Sequence, residues 1–431
     1  MFISIVGVII SIGFLIYMMY KNVSPLLSVP IATLIVAVFA NVNVYQAMTD
    51  GFLSGWSGMI VGVGWTFLGS TVFGEVMSRA GASEAIAYWF VDHFDSRKAT
   101  WIIFLTSALL SYSGMSFGGY IVIYPIALIL CKEADYNKGI IMAAVLGGAW
   151  TFSMVGPWSP TVGNTVPQTI LGTNSSAGLI PGLAASVVMF VAIGFYLDWQ
   201  VRTWQKAGRR FDSHEEVKKY EKPREDLPNI VLSLLPAIGS IVLFNVFNCN
   251  LGVSLMLASF LGVAFMWKRY SPKEWLTILS DGARASALPI LNLSIFGGLS
   301  AALSSTPVFE ALSSWAVTTT ASPYLVVAII ASIFSIIMSS SSTSVNMLVA
   351  SMPDVLTSYV NRGFNAGFIH RMIAMGSGGP SIMPFGGSMA TMNTLFNTNF
   401  RESYSAVFWS CAVIPTVCAY AICLPLCLLL S

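Results

Sequence analysis

The chain has 431 residues, of which 55% are hydrophobic and only 9% are charged, and its formal net charge is +2. Soluble domains carry about 25% charged residues, so this composition excludes an ordinary soluble domain and indicates an integral membrane protein. Nothing in this charge balance points to a nucleic-acid partner. The six cysteines show no metal-binding spacing, so neither a metal site nor a cofactor is expected.

Apolar segments long enough to cross a bilayer, about 17–25 residues, occur in two series. The first series lies at about 2–20, 25–42, 53–78, 139–172 and 176–199, and the second at about 229–247, 251–267, 285–305, 364–398 and 403–427. A charged linker at about 200–228 separates the two series. Between the third and fourth members of each series we predict a re-entrant helical hairpin, at about 99–132 and 322–358, because the tip of each is polar.

The fourth segment of each series contains a polar interruption that is rich in glycine and proline. Residues 156–165 read GPWSPTVGNT, and residues 377–388 read SGGPSIMPFGGS. Lipid cannot satisfy a bare backbone amide or carbonyl, so such backbone at membrane depth lies inside protein or beside a wet cavity. Paired interruptions in a repeated membrane chain point to a transporter's substrate site, and we predict broken helices at about 139–172 and 364–398.

The two halves of the chain repeat. Asn137-x-Gly139 recurs as Asn365-x-Gly367, and Pro157-Trp158 recurs in the same order as Pro384-Phe385. Because each half has five crossings, an odd number, the second half should be inverted relative to the first. The predicted fold is therefore an all-α integral membrane protein with about ten transmembrane helices, divided into an N-terminal inverted repeat (1–199), a cytoplasmic linker (200–228) and a C-terminal inverted repeat (229–431).

The basic residues test this topology, because cytoplasmic loops of membrane proteins are enriched in Lys and Arg. With the linker in the cytoplasm, all of the 21 Lys and Arg residues fall inside except Arg362 and Arg371. We therefore expect a multi-pass protein of the cytoplasmic (inner) membrane with both termini extracytoplasmic. The first hairpin would then enter from the cytoplasm and the second from outside, so that their tips meet at the midplane.

With these segments in view, the chain resembles the gluconate permease (GntP) family of the ion transporter superfamily. The clearest parts are Tyr124-Pro125-Ile126, the run from Ala143 to Gly147, the run from Thr169 to Thr173, His370-Arg371, and Arg401-Glu402-Ser403-Tyr404. The resemblance implies import of gluconate or a related hydroxy-carboxylate with protons, by a protein that forms a homodimer. Relatives in the superfamily carry citrate, dicarboxylates or lactate-like acids, some of them with sodium.

Substrate ligands are expected at the two hairpin tips and the two interruptions. Helix N-termini offer free N–H groups and a positive dipole end, and neighbouring hydroxyls can donate to a carboxylate. Glycines let the backbone approach a ligand closely. The predicted substrate-binding residues are Ser111, Ser113, Ser116, Asn164, Thr165, Ser342, Thr343, Asn346, Ser388 and Thr391. Close helix packing is the alternative explanation for any one of these small residues.

The origin of ion coupling is less evident from the residues. His370 and Arg371 lie about two turns into their helix, where a cation is costly unless it is paired or functional. They could attract the anion or, for His370, titrate during coupling. Equally, Arg371 could snorkel to the interface or pair with Asp354.

The leading hypothesis is a secondary active transporter that imports a small organic anion with protons by alternating access. The alternatives are a sodium-coupled carboxylate symporter and a cation/proton antiporter of the same superfamily. The antiporter would need buried aspartates near the interruptions, and the sequence has none there. We expect no enzyme, because the sequence lacks an HExxH motif, paired intramembrane aspartates and a serine with a plausible histidine partner at matched depth. The absence of a phosphate-binding loop excludes ATP-driven export by this chain alone.

Overall fold

The structure is a computed structural model that describes residues 2–21, 23–112, 117–159, 161–218, 226–245, 247 and 249–431. Within these ranges the regular structure is entirely helical, with no β-strand. Two of the predicted site residues, Ser113 and Ser116, lie outside the described residues. The expected all-helical class is therefore confirmed for the part of the chain that is described.

The described residues of the first half form nine helices, and those of the linker form one short helix. They are α1 (Phe2–Tyr20), α2 (Pro25–Phe39), α3 (Val44–Arg79), α4 (Ala82–His93), α5 (Ala99–Tyr112), α6 (Phe117–Glu133), α7 (139–155), α8 (Val162–Leu171), α9 (Leu179–Lys206) and the linker helix α10 (His214–Val217). The pair α5–α6 is the first hairpin, and the irregular residues 156–161 between α7 and α8 are the first break.

The second half repeats this succession of elements. Its helices are α11 (Ile230–Asn245), α12 (Leu251–Phe265), α13 (Pro272–Ser304), α14 (Pro307–Thr318), α15 (Pro323–Met338), α16 (Ser341–Ser351), α17 (Pro353–Asn361), α18 (Ala366–Gly378), α19 (Gly387–Leu395) and α20 (Phe400–Leu429). The pair α15–α16 is the second hairpin. A short 3₁₀ turn, Gly379–Ser381, extends α18, and residues 382–386 before α19 are the second break.

Four of the described helices, α3, α9, α13 and α20, are long and apolar enough to cross a membrane. Two of them begin earlier than the apolar pattern predicts. The amide oxygen of Asn43 accepts a hydrogen bond from the Gln46 N–H, which starts α3 at Val44, and a capping box between Ser271 and Glu274 starts α13 at Pro272. Hydropathy alone misses these starts because each first stretch carries polar residues.

The broken helices form the centre of the molecule. Every residue of the first part of α7, Gly139–Leu146, is buried, and so is every residue from Ile369 to Ile382 in and after α18. The long helix α3 packs against α12 and α13 beside them. The helices that lead into the two breaks are therefore buried, whereas within the breaks Trp158 is 51% exposed and Met383 and Pro384 are half-buried. Irregular backbone at lipid depth lies inside protein or beside a wet cavity, and these breaks combine both surroundings.

Glycines allow the two long helices α3 and α13 to cross in backbone contact. A Cβ atom on Gly55 would overlap the carbonyl oxygen of Gly297, and one on Gly298 would lie 2.6 Å from the Phe52 ring. Trp56 then donates from its indole nitrogen to Ser294 Oγ at 2.9 Å across the same crossing. This contact joins the two halves along one wall of the cavity described below.

The linker docks on the ends of the hairpin and the broken helices. Lys138 Nζ lies 2.8 Å from a carboxylate oxygen of Glu216 and donates to the carbonyl of Asn397 at 2.9 Å. The Tyr124 hydroxyl donates to the other carboxylate oxygen of Glu216 at 2.6 Å. Burial raises the pKa of the Glu216 carboxyl, but its bonds to Lys138 and Tyr124 outweigh that effect and hold the pKa below its ordinary value.

Replacing Glu216 by Gln should loosen the docked linker. Loss of hydrogen bonds to a charged group costs about 1.5–3 kcal/mol, so limited proteolysis within 207–218 should speed up roughly tenfold or more at pH 7. Because the pKa of Glu216 is lowered on folding, wild-type protection should persist at neutral pH and fade as the pH falls below about 4.

Glu215→Gln is the matched control, since Glu215 pairs with Lys218 on the exposed surface. Exposed pairs contribute about 0–1 kcal/mol, so this variant should be cleaved at nearly the wild-type rate. Equal cleavage rates for the two variants would contradict a docking role for Glu216.

Candidate substrate site

The first break separates α7 from α8 by a tight irregular turn. Trp158 has a positive φ of 62°, and its N–H donates to the carbonyl of Ser175 at 2.8 Å. The last carbonyls of α7 have no following helical turn to bond them. Asn164 Nδ2 donates to the Met154 carbonyl at 3.2 Å and the Gly156 carbonyl at 3.0 Å, which satisfies two of them.

Arg371, on α18 of the other half, completes the first break. Its guanidinium donates to the Val155 carbonyl at 2.6 Å, to Asn164 Oδ1 at 2.8 Å and to the Ala177 carbonyl at 2.7 and 3.0 Å. The side chain is 0% exposed, so it does not snorkel to an interface. Its hydrogen bonds go to these oxygens and not to Asp354. The two expectations that Arg371 snorkels to the interface or pairs with Asp354 are therefore wrong.

His370 precedes Arg371 and is also fully buried. Its Nδ1 lies 2.7 Å from the Thr173 hydroxyl, in the loop between α8 and α9. Among the described residues, Nε2 has no hydrogen-bond partner. His370 does not line the cavity, and a role for it in coupling stays a prediction.

Neutral donors hold the second break. Ser339, at the tip of the second hairpin, has a positive φ of 45°, and its hydroxyl lies 3.2 Å from the carbonyl oxygens of both Ser381 and Met383. The Tyr404 hydroxyl donates to the Ile382 carbonyl at 3.0 Å. The same requirement is thus met at the two breaks by different chemistry, a guanidinium at the first and hydroxyls at the second.

Both hairpins and both breaks meet at one cavity of about 280 Å³. The second hairpin contributes Ser339 to Ser342, and the second break with its flanking turns contributes Ser381, Ile382 and Ser388. The first hairpin and first broken helix contribute Ser111, Met154, Thr161 and Val162. Helices α3, α12 and α13 also line the cavity, with Val63, Thr66, Phe67, Leu251 and Leu293. This volume is near the lower end for ligand pockets and corresponds to a small solute.

Positive helix ends face this cavity. Residues of the first turn of α8, α16 and α19 line it, namely Val162, Ser341, Ser342 and Ser388. Neither α8 nor α19 is capped by the side chain of its own N-cap residue. Among the described residues that line the cavity, none is charged. Uncapped N–H groups at a helix start favour an anion, so the cavity is a neutral site for negative charge.

The hydroxyls around the cavity differ in what they already bond. Ser111 donates to the Ala149 carbonyl at 3.0 Å, and Ser341 shares a hydrogen bond with Ser377 at 2.7 Å. In the described part of the chain, the side-chain hydroxyls of Ser342, Ser388 and Thr66 make no hydrogen bond. These three hydroxyls, together with that of Ser340, which accepts from Thr343 but donates to no group in the described part of the chain, remain free to donate to a solute.

Comparison with known proteins identifies the family of this chain. The sequence profile described as GntP family permease matches residues 3–250, which is more than half of the chain. This chain belongs to the GntP permease family.

Two bacterial relatives carry matching descriptions. The chain is 24% identical to the "uncharacterized transporter YxjC" of Bacillus subtilis strain 168, over 97% of this chain and 98% of that protein. It is 25% identical to an "uncharacterized permease" of Haemophilus influenzae, over 56% of this chain and 50% of that protein. Family membership and the apolar helices make this GntP permease a multi-pass membrane protein and a secondary transporter, and the names of its relatives indicate a transporter rather than an enzyme.

The predicted site residues divide by where the structure places them in this GntP permease. Ser111, Ser342 and Ser388 line the cavity. Asn164 and Thr343 are buried beside it, where Asn164 bonds the first break and Thr343 bonds the Ser340 hydroxyl at 2.9 Å.

Three other predicted residues do not line the cavity. Thr165 and Asn346 are exposed, and the Asn346 amide donates to the Ser342 carbonyl at 3.0 Å. Thr391 is half-buried on α19. A direct contact between substrate and these three residues stays a prediction.

Several cavity residues were missed by sequence reasoning. Thr66 and Tyr120 lie within helices, where a single polar residue in an apolar run gives no positional signal. Thr161, Ser339, Ser340, Ser341 and Ser381 lie in the predicted polar segments but were not singled out. The helix starts that the structure defines, at Val162, Ser341 and Gly387, are what select among these hydroxyls.

Gly386 tests whether the cavity depends on close contact between the second hairpin and the second break. A Cβ atom there would overlap Ser339 Oγ and lie 3.2 Å from the Ser339 carbonyl oxygen. Gly386→Ala should destabilise the protein by about 1–3 kcal/mol and lower the thermal unfolding temperature of the purified protein.

Gly163→Ala serves as the matched control at the first break. The nearest atom to a Cβ on Gly163 is Ser341 Oγ at 3.8 Å, so the unfolding temperature should change little. The interpretation fails if the two variants unfold at the same temperature.

Proposed function

We propose that this permease imports a small organic anion, such as gluconate or another hydroxy-carboxylate, together with protons by alternating access. The observation that carries the proposal is the cavity at which the starts of α8, α16 and α19 converge and whose described lining residues are all uncharged. A carboxylate entering it would exchange water for N–H groups and for the hydroxyls of Ser342 and Ser388. Proton coupling is inferred from family resemblance.

The proposed topology is a pair of inverted repeats. In support, each half contains a long helix, a hairpin, a broken helix and a final helix in the same order. An odd number of crossings in each half would invert the second half, and the distribution of Lys and Arg favours a cytoplasmic linker with both termini outside. The protein would then lie in the cytoplasmic membrane, as a homodimer if it follows the resemblance.

The cavity walls favour a sliding or rocking unit. The hydroxyls that would hold the solute come mainly from the hairpins and breaks, whereas α3, α12 and α13 contribute mostly apolar side chains, Val63, Phe67, Leu251 and Leu293. An apolar wall makes no directional bonds to the solute, so the polar unit could move past it with the solute attached. This arrangement would expose the site alternately to the two sides.

Uptake into proteoliposomes tests the proposal. Radiolabelled gluconate, glycerate, lactate and citrate would be offered under an imposed pH gradient and, separately, a sodium gradient. We expect accumulation of at least one of these acids under the pH gradient. Failure to accumulate any of them under either gradient would reject organic-anion import.

Ser342→Ala and Ser388→Ala should weaken transport of the acid that is carried. Each removes a free hydroxyl donor to a charged group, worth about 1.5–3 kcal/mol, and should raise KM by roughly 10- to 100-fold. Ser304→Ala is the control, because Ser304 is exposed and bonds its own helix at the Ala301 carbonyl. An unchanged KM in both cavity variants would show that these hydroxyls do not contact the substrate.

A further inference from the structure

The oxygens around Arg371 form a cluster of the kind that binds a cation. The Val155 carbonyl ends α7, the Ala177 carbonyl precedes α9, and Asn164 Oδ1 points to the same place; all three accept from the guanidinium at 2.6–3.0 Å. The C-terminal end of a helix carries partial negative charge. In transporters with broken helices, such half-helix ends and unwound carbonyls coordinate the coupling sodium ion.

The surrounding backbone is shaped to hold this side chain. Gly178 has a positive φ of 59°, and a Cβ atom there would lie 2.6 Å from Arg371 Cβ. A Cβ atom on Gly182 would lie 2.9 Å from Arg371 Nε. Two glycines at the start of α9 thus open the space that the Arg371 side chain fills, an observation independent of the hydrogen bonds that its guanidinium makes.

We propose that Arg371 is a built-in cation that occupies, at the first break, the position a coupling sodium ion would take. The inference rests on the proposed function as a secondary transporter and goes beyond it, because it assigns sodium independence to a residue. The positive charge is carried permanently by the polypeptide, so the first break keeps its geometry in every step of transport. Transport therefore requires no sodium ion.

Purified Arg371→Ala protein gives a test that needs no substrate. The variant leaves the oxygen cluster without its cation, so millimolar guanidinium chloride should raise its thermal unfolding temperature by at least about 2 °C. Urea has nearly the same shape without the charge and should not. Neither compound should stabilise the wild type or Arg362→Ala, whose arginine is exposed and stacks near Tyr359 and Phe364. An equal response to guanidinium and urea would overturn the proposal.

Should Arg371→Ala fail to fold, Arg371→Lys and Arg371→Gln separate charge from hydrogen bonding. Lys retains the charge, whereas Gln retains donors without charge. We expect the Lys variant to unfold at the higher temperature and to keep more uptake than the Gln variant. Equal or reversed behaviour would show that the charge is dispensable.

Uptake measurements provide the last test. Wild-type uptake should be the same in sodium and in N-methylglucamine media, and uptake by Arg371→Ala should fall at least tenfold and recover with external guanidinium. Strict sodium dependence of the wild type would overturn the proposal. If the wild type carries none of the acids offered, the proposed function fails, while the unfolding experiments still decide whether Arg371 occupies a cation site.

Discussion

The organisation of this permease follows from one constraint: a helix interrupted at membrane depth must have its freed backbone groups bonded by the protein. At the first break, Asn164 and Arg371 bond the carbonyls of Met154, Val155 and Gly156. At the second break, Ser339 bonds the carbonyl of Ser381 and Tyr404 bonds the carbonyl of Ile382. These donors come from the hairpin and from other helices, so the breaks can exist only when the central elements are packed together.

Each break also places the negative carbonyl end of one helix and the positive amide end of the next helix in different surroundings. The carbonyl ends of α7 and α18 face donors of the protein, whereas residues of the first turn of α8 and α19 line the cavity without a capping side chain from their own N-cap. Negative partial charge is thereby neutralised inside the protein, and positive partial charge is left at the cavity. A neutral cavity can in this way favour an anion without a buried cationic ligand, which would cost desolvation.

Sequence alone was sufficient for the parts of this architecture that depend on local chemistry. Glycine and proline at 156–165 and 377–388 predicted the two breaks, whereas re-entry of the two hairpins into the membrane stays a prediction. Sequence alone did not predict contacts between residues that are distant along the chain. The Val155 carbonyl is 216 residues from Arg371, and nothing local shows that this arginine reaches the other half. Asn164 has the chemistry of a substrate ligand, yet its amide nitrogen donates to the Gly156 carbonyl in the first break.

The two halves have a similar succession of helices but differ in how their breaks are held. Hydrogen bonds from a guanidinium are about twice as strong as those between neutral groups. The first break is joined to α18 by four bonds from Arg371, whereas the second relies on shared bonds of 3.2 Å from one serine and a single tyrosine hydroxyl. The second break is therefore held by weaker side-chain hydrogen bonds than the first. Ser388 lies just after this break at the start of α19, and Ser342 lies on the adjoining hairpin, so the second half supplies most of the free hydroxyls proposed to hold the anion.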